Sequence, residues 1–459
     1  MRIRNMRQLL DNAESERARR LRRDALEILD RAVDAVDPRK AILDRVRVSG
    51  GSLSFDGVEV DLDRFSKVFV VGGGKAGGAM AEAVEELLGD RIAGGVVNVL
   101  EGAEGRHTLE RIELNGASHP IPDERGVQGT GRMLSLAEEA GEGDLVVVLI
   151  SGGGSALMTY PAEGVSLGEV QGLTDMLLRS GATINELNAV RKHLSRVKGG
   201  QLAKRASPAT VVSLILSDVV GDPLDVIASG PTAPDRSRFG DAMEVLRRYG
   251  LWEEAAPSIR RRLEAGVEGA VEETPKPGDE AFGKVFNVVV ASNLTAAMAA
   301  VEAAANLGYN ELLLSTRVEG EARHVGTVFA GIAGEIAASD HPVSKPAAVV
   351  AGGETTVSVT GSGLGGRNQE LALSAAMRIE GLDAVIVALA TDGVDGPTDA
   401  AGAIVDGRTL SRARALGISP LEALGNNDSY GFFSVLGDAI LTGPTGTNVN
   451  DLAVILVDG

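Results

Sequence analysis

The chain has 459 residues, of which 44% are hydrophobic and only 3% aromatic, so it can build roughly two or three domains with aliphatic cores. A formal net charge of −19 argues against a nucleic-acid partner or an anionic membrane surface, because both require basic patches. Cysteine is absent, which excludes disulfides and thiolate metal sites, and no apolar run approaches the roughly 20 residues that span a bilayer, so we expect a cytoplasmic protein.

Helical and strand-like patterns alternate along the chain. Residues 6–36 place apolar positions at helical spacing, which predicts one amphipathic helix. Continuous apolar runs follow, separated by helical stretches, and this indicates an α/β fold with parallel sheets covered on both faces. Segment 272–283 contains two prolines and several charges and is the predicted linker, giving expected domains 1–278 and 279–459. The predicted strands are 68–71, 95–100, 145–150, 211–216, 285–290, 312–315, 347–351, 384–389 and 453–457.

The first predicted strand runs into a glycine-rich loop at the start of a helix. Gly72, Gly74 and Gly77 match the dinucleotide-binding fingerprint by letter. Lys75 lies inside the loop, where backbone N–H groups, the helix dipole and the lysine charge all favour an anion. The alternative is a tight turn with a solvated lysine.

A second apolar strand delivers another glycine loop. Three glycines between two hydroxyl side chains suit a cradle for an oxyanion, a phosphate or a carboxylate. A glycine-rich connector without a ligand is the alternative. The residues of this loop are Ser151, Gly152, Gly153, Gly154 and Ser155.

The segment after residue 183 is predicted to be a helix with two adjacent stripes. An apolar stripe is bordered by a polar one formed by Asn188, Arg191, Ser195 and Lys198 at helical spacing. Arg191 could hold a carboxylate through its planar guanidinium group. An exposed basic flank is an equally simple interpretation.

Acidic side chains follow several predicted strands. Asp218 stands at the end of one strand and Asp222 follows a glycine turn, while Asp392 follows a strand in the second half. Carboxylates in such positions can bind magnesium or accept a hydroxyl proton. Turn formation is the alternative, since aspartate is common in turns.

The second half carries further polar loops. Glu354 follows a strand, Arg367 and Asn368 open a helix behind a glycine loop, and Asn427 lies in a loop rich in Asn and Asp. Asn427 or its neighbour Asp428 can equally be explained as a cap of the next helix.

Taken together and in this order, these motifs resemble the glycerate 2-kinase family, the class II glycerate kinases with a MOFRL domain. The resemblance covers almost the whole chain. It rests on VVGGGKAGGAM, SHPIPDE, LISGGGSALM, NAVRKHLSRVKGGQLA, SDVVGDPLDVIASGPTAPD, GGETTVSV, GGRNQELAL, ATDGVDGPTDAAGA, NDSYGFF and GPTGTNVND.

The resemblance implies a Rossmann-like, doubly wound N-terminal domain and a smaller C-terminal α/β domain of the MOFRL type, with the active site in the cleft between them. It implies ATP-dependent phosphorylation of D-glycerate to 2-phosphoglycerate. The family's key lysine falls on Lys75, and an arginine implicated in its site falls on Arg367. Members have also been labelled hydroxypyruvate reductases.

A mechanism follows as a hypothesis. Lys75 and Arg367 would converge on the transferring phosphoryl group or the substrate, because phosphoryl transfer needs positioning and charge neutralisation. The Ser151–Ser155 loop, with Asn188 and Arg191, would hold glycerate. One acid would accept the hydroxyl proton, with Asp218 as the catalytic candidate. Contacts to ATP are assigned to Gly74, Glu354, Asn368, Asp392 and Asn427, and magnesium ligands to Asp218, Asp222 and Asp392.

Two other functions remain open. An NAD(P)H-dependent hydroxypyruvate reductase would explain the glycine fingerprint, but a lysine inside that loop is unusual, and the expected acid about 20 residues further on is misplaced, with Glu101 the nearest. A non-catalytic regulator that binds a small acid or a nucleotide would need a second module, and none is evident. The expected partners are the small molecules glycerate and ATP. The oligomeric state is open, with a homodimer as one option.

Overall fold

The computed structural model describes residues 2–459 and divides them into two compact units. The first unit is Pro38–Val290, and the second combines residues 2–37 with Ala291–Gly459. This division differs from the expected domains 1–278 and 279–459, because the N-terminal helices pack with the C-terminal half. The predicted linker 272–283 belongs to the first unit: Thr274 is buried and donates to Asp235 over 2.9 Å.

Strands and helices alternate through both units, as an α/β fold requires. None of the helices in residues 2–459 is long and apolar enough to cross a membrane. The strands are β1 Arg47–Ser49, β2 Ser52–Phe55, β3 Val58–Asp61, β4 Lys67–Gly73, β5 Ile92–Leu100, β6 Ile112–Ala117, β7 Asp144–Ile150, β8 Thr210–Leu216, β9 Val285–Ala291, β10 Asn310–Glu321, β11 Ala347–Thr356, β12 Ala384–Ala390, β13 Gly402–Asp406, β14 Ala439–Ile440 and β15 Asp451–Val457. The helices are α1 Met6–Asp11, α2 Glu16–Ala35, α3 Pro38–Arg45, α4 Gly77–Leu88, α5 Glu124–Glu139, α6 Gly154–Leu157, α7 Leu167–Arg179, α8 Ile184–His193, α9 Gln201–Ala206, α10 Phe239–Arg248, α11 Pro257–Val267, α12 Asn293–Asn306, α13 Ala322–Ser339, α14 Arg367–Ala376, α15 Thr409–Ala415, α16 Pro420–Gly425 and α17 Ser429–Leu436.

The main sheet of the first unit has the strand order β6-β5-β4-β7-β8-β9. The pairs from β6 to β8 are all parallel, and the order reverses between β4 and β7, which makes the sheet doubly wound. Side chains alternate between its faces: Val146 and Val148 pack with α5 and α9, whereas Val147 faces α4. The predicted parallel sheet, covered on both faces, is confirmed here. The small antiparallel sheet β1-β2-β3 was not predicted.

The sheet of the second unit has the order β10-β11-β15-β12-β13-β14. Only the β10–β11 pair is parallel, while β15 runs antiparallel to both β11 and β12. The expectation of a parallel sheet is therefore wrong for this unit. Continuous apolar runs report burial on both faces and carry no information about strand direction. Helix α2 packs on this sheet and on α12, which places the N-terminal segment in the second unit.

The N-terminal segment forms two helices where one was predicted. Helix α1 ends at Asp11, and α2 begins after Ser15, whose hydroxyl accepts a hydrogen bond from the Ala18 N–H over 3.1 Å. Between them, the Asn12 amide donates to the Gly437 carbonyl over 2.8 Å. The Asn12 side chain thus forms a tertiary contact at the point where the helix is interrupted. The spacing of apolar residues does not reveal such an interruption.

Candidate functional site

The two glycine loops of the first unit lie side by side at the point where the strand order reverses. Strands β4 and β7 pair in register, with Gly73 opposite Ile150, so the loops that follow them start level. The Lys75 N–H donates to the Gly152 carbonyl over 2.8 Å, and the Ala76 N–H donates to Ser151 Oγ over 3.1 Å. Ligands of open α/β sheets bind at this edge, beside the switch in strand order.

Glycine is required at the contact between these loops. Gly74 has φ +154°, and a Cβ added there would lie 2.1 Å from Ser151 Oγ. A Cβ on Gly152 would lie 2.3 Å from Asp218 Oδ2. The Asp218 carboxyl group, which follows β8, is thus brought against the second loop.

Two backbone N–H groups of the second loop lack an acceptor in the described protein. Within residues 2–459 the N–H groups of Gly152 and Gly153 have no protein acceptor, whereas Gly154 donates to the Ser151 carbonyl over 3.1 Å. Gly153 is left-handed, with φ +80°, and a Cβ there would lie 3.2 Å from Cγ of Lys75. Two free amides and an exposed ammonium side chain therefore share one corner, which we call the anion corner, and such clusters of N–H groups bind anions.

Two titratable groups flank the anion corner. Burial raises the pKa of Asp218 above its usual range, although the charge of Lys75 opposes that shift. Burial and the same charge lower the pKa of His119, which favours a neutral imidazole. The His119 ring lies against Gly153, 3.1 Å from the position of an added Cβ. His119 lies in the motif SHPIPDE but was not predicted as a site residue, because it follows β6, a strand that was not predicted.

Ser155 and Asn188 are joined through a residue that was also missed. Ser155 Oγ lies 2.8 Å from Ser229 Oγ, which donates to Asn188 Oδ1 over 2.9 Å. Ser229 adopts φ +62° and its neighbour Ala228 φ +50°, a conformation that side chains other than glycine rarely take. Asn188 Nδ2 is buried with no hydrogen-bond partner in the described chain, so it can donate to a ligand. Left-handed backbone at Ser229 leaves no signal in the sequence.

The helix predicted for residues 184–203 ends earlier than expected. Helix α8 stops at His193, and Ser195 Oγ accepts from the N–H of Lys198 over 3.2 Å. The polar stripe is therefore not one helical face. Lys198 is buried and donates to the carbonyls of Ser155 and Met158, over 2.5 and 2.9 Å. Burial, together with a neighbouring arginine charge, lowers the pKa of Lys198 to about 7.

In the second unit, Arg367 is held by carboxylates. Its Nε and Nη2 donate to Asp451 over 2.5 and 2.9 Å, and Nη1 lies 3.1 Å from Glu354 Oε1. Burial lowers the pKa of Arg367, but pairing with Asp451 and Glu354 outweighs it, and the net shift is upward. The catalytic role expected for Arg367 stays a prediction, and any ligand there would meet a guanidinium that is already paired.

The other predicted nucleotide contacts of the second unit have protein partners. Asn368 donates to Asp395 through its N–H and its side chain, over 3.0 and 3.2 Å, and burial raises the pKa of Asp395 to about 6. Asn427 accepts from the N–H groups at 360 and 361 and donates to Glu370 over 2.6 Å. Asp392 Oδ1 accepts from the Val394 N–H over 3.0 Å, which closes a turn. Glu354, Arg367 and Asn427 line a common cavity of about 630 Å³, whereas Asn368 and Asp392 do not line it.

The assignment of Asp218, Asp222 and Asp392 to magnesium stays a prediction. Asp218 and Asp222 belong to the first unit and Asp392 to the second. Asp222 has φ +55° and donates its N–H to the Val219 carbonyl over 3.1 Å, so it forms a turn. Residues 2–459 contain no group of three or more His, Asp or Glu side chains placed to hold a metal ion. Magnesium commonly uses only one or two carboxylates together with substrate phosphates, and Asp218 fits that mode.

Comparisons with known proteins agree with this architecture. The domain of unknown function DUF4147 matches residues 24–264, and the MOFRL family matches residues 347–451. A glycerate 2-kinase of Pyrococcus horikoshii is 44% identical over 438 residues, which is 95% of this chain and 97% of that protein. A putative hydroxypyruvate reductase of Agrobacterium vitis is 41% identical, over 94% of this chain and 93% of that protein. The crystal structure of a glycerate kinase from Thermotoga maritima superimposes with a TM-score of 0.85 at 43% identity, covering 95% of this chain and 99% of that one. This chain belongs to the glycerate 2-kinase family, in which a DUF4147 domain is joined to a MOFRL domain.

Proposed function

We propose that the protein transfers the γ-phosphoryl group of ATP to the 2-hydroxyl of D-glycerate, giving ADP and 2-phosphoglycerate. Membership of the glycerate 2-kinase family supports this activity. The observation that carries it is the anion corner, where Lys75 and the free amides of Gly152 and Gly153 lie beside the partly buried carboxyl group of Asp218.

The anion corner suits a phosphoryl group in transfer. Charge spreads over the oxygens of the phosphoryl group in the transition state, and fixed donors aimed at those oxygens lower the barrier. Lys75 and the two amides supply three such donors from adjacent loops. The contact between the loops fixes the backbone that carries the two amides, so these two donors need little reorganisation during the reaction.

Asp218 is the best-placed group to accept the hydroxyl proton. Burial shifts the pKa of Asp218 upward, toward neutral pH, and a general base is most effective when its pKa lies near the working pH. The neighbouring Lys75 favours the ionised form that catalysis needs. Magnesium, when bound with ATP, would neutralise phosphate charge. Asp222 would offer it carboxylate oxygens, and Asp218 would do so only where another group accepts the proton, because a bound cation lowers the pKa of a carboxyl group.

The hydroxyl and amide groups around the second loop suit glycerate. Asn188 Nδ2 is a buried donor without a partner in the described chain. Ser155, which is linked to Asn188 through Ser229, can form a further hydrogen bond to the substrate, and so can His119 beside Lys75. Binding a small hydroxy acid would satisfy the Asn188 donor, whose burial without a partner costs about 1–3 kcal/mol.

Reduction of hydroxypyruvate is the second candidate, since two relatives from Agrobacterium vitis carry that putative name. A dinucleotide turn binds pyrophosphate through the free N–H groups at the start of its helix. Here the N–H groups of Lys75 and Ala76 already donate to Gly152 and Ser151. These N–H groups of the first glycine loop already bond to the second loop and are not free to bind the pyrophosphate of a dinucleotide. This observation favours the kinase over the reductase.

The test is a pair of assays on the purified protein. One contains D-glycerate, ATP and Mg²⁺, with ADP release followed continuously and the product identified by phosphorus NMR; tubes without glycerate measure background hydrolysis of ATP. The other contains hydroxypyruvate with NADH or NADPH. We expect glycerate-dependent ADP release and 2-phosphoglycerate. Loss of NAD(P)H absorbance without ADP release would refute the kinase, and ligand binding without turnover in either tube would indicate a regulator.

A further inference from the structure

The first unit contains a cavity of about 480 Å³ beside the second glycine loop. It lies between the loop after β6, the segment after β7, and helices α7 and α8. Its volume falls within the roughly 300–1,000 Å³ that small-molecule sites occupy. Most of its wall is apolar, formed by Pro120, Ile121, Pro122, Ala156, Tyr160, Pro161, Val170, Leu178 and Leu194.

One side of the cavity is cationic. Arg191 lines it, is largely buried, and has no hydrogen bond or ion pair within residues 2–459. Lys198 also lines the cavity and uses its ammonium group on two backbone carbonyls. A partly desolvated guanidinium group without a counter-ion can bind an anionic group, so the geometry points to a ligand that supplies one.

The cationic side connects the cavity to the anion corner. Ser155 lines the cavity and is also the last residue of the loop that carries the free amides of Gly152 and Gly153. A ligand that fits both places has a bulky, largely apolar body and an anionic chain. A three-carbon acid has no such body and would leave most of the cavity to water.

We propose that this cavity binds the nucleoside part of ATP, with Arg191 on a phosphate and the remaining phosphates leading along Ser155 to the anion corner. The assignment rests on the proposed function. It differs from the sequence-based hypothesis that Arg191 holds the glycerate carboxylate. Gln171 supplies polar recognition at the wall, since its Nε2 donates to the Pro122 carbonyl over 2.6 Å and its Oε1 accepts no hydrogen bond within the described chain.

Gly172 allows the cavity to be filled without disturbing the fold. It lies on α7, lines the cavity, and a Cβ added there meets no atom within 4 Å. Gly168 is a matched control: it lies on the same helix with the same free space, but it does not line the cavity. The variants are Gly172→Leu and Gly168→Leu in the full chain.

The experiment measures binding, so that it is independent of turnover. Isothermal titration of MgADP and, separately, of D-glycerate gives affinities for wild type and both variants, with thermal melting to confirm folding. We expect Gly172→Leu to weaken MgADP binding by at least about tenfold and to leave glycerate affinity unchanged, while Gly168→Leu changes neither. Unchanged MgADP affinity in Gly172→Leu, or a selective loss of glycerate affinity, would overturn the proposal.

Failure of this inference can be told from failure of the proposed function. A wild-type protein that phosphorylates glycerate, paired with a Gly172→Leu variant that binds MgADP normally, refutes the nucleoside site alone. A wild-type protein that neither binds MgADP nor phosphorylates glycerate refutes both. Should Gly172→Leu not fold, Arg191→Gln replaces it, because a side chain without a protein partner is dispensable for folding; about tenfold weaker MgADP binding supports the site, and wild-type affinity overturns it.

Discussion

Replacement of Lys75 by methionine tests the proposed phosphoryl contact with little risk to the fold. The Lys75 side chain is exposed, and within residues 2–459 its ammonium group forms no hydrogen bond or ion pair. The tight packing at this loop involves the backbone, through the Lys75 N–H and the Gly152 carbonyl. A surface substitution of this kind changes the free energy of unfolding by no more than about 0.5 kcal/mol.

The effect on catalysis should be far larger. If the ammonium group binds phosphoryl oxygens in the transition state, its removal costs about 2.7–4 kcal/mol, by analogy with the loss of one oxyanion donor, or 10²–10³ in kcat. An interaction made equally with bound ATP would instead raise KM at constant kcat. We therefore expect a fall in kcat with an unchanged melting temperature.

The assay is steady-state ADP release at saturating glycerate and varied MgATP, with thermal melting in parallel. Lys67→Met is the control, because Lys67 begins strand β4 at the end opposite the glycine loop and pairs with Glu139 on the surface. Wild-type kcat in folded Lys75→Met protein would refute the role of this lysine. An equal loss in Lys67→Met would show that removal of any positive charge suffices.

Three further outcomes follow from buried charges. Burial raises the pKa of Asp218, so the folded state keeps this proton to higher pH than the unfolded chain does. Above that pKa the ionised carboxylate destabilises the fold. Asp218→Asn should therefore raise the melting temperature at pH 8, while lowering kcat by about 10²–10⁴ through loss of the proposed base. Arg22 is fully buried between Asp406 and Asp438, at 2.6 and 2.8 Å, and Arg22→Met should lower the free energy of unfolding of the second unit by about 3–5 kcal/mol in urea denaturation followed by circular dichroism. Lys198 has a pKa of about 7, so its ammonium charge is present below that pH. We therefore expect the ratio of MgADP affinity in wild type to that in Lys198→Met to increase as the pH falls through 7. The titration of ADP itself is common to both proteins and cancels in this ratio.

The fold of the first unit could be predicted well from the sequence because its parallel strands are buried on both faces. Such strands appear in the sequence as continuous apolar runs. The predicted strands 145–150 and 211–216 accordingly fall inside β7 and β8. Strand β6 was missed because it lies at the sheet edge and reads IELNGA, with little apolar content. In the second unit the same kind of run, 453–457, lies in β15, yet its antiparallel direction depends on partners that are distant in sequence.

The candidate site was partly predictable for a related reason. Lys75, the Ser151–Ser155 loop and Asp218 each follow a parallel strand, and strand ends on one edge bring such residues together. Ser229 could not be found, since its place depends on a left-handed backbone. The sequence shows the charge of Arg367 but not that Asp451, 84 residues further on, pairs with it.

The strong negative charge of the chain raises the question of how it would bind two anionic substrates. Within the described first unit, Lys75 and Arg191 form no ion pair, and Lys198 bonds to carbonyls, so local charge near the second glycine loop is positive although the whole chain carries −19. The acid among them, Asp218, is shifted by burial toward its neutral form, which reduces its repulsion of an incoming phosphate. Charges in buried positions are also screened less by salt than exposed ones. Attraction at the anion corner therefore depends on these few unpaired cations, while the remaining acidic surface acts only at longer, better-screened distances.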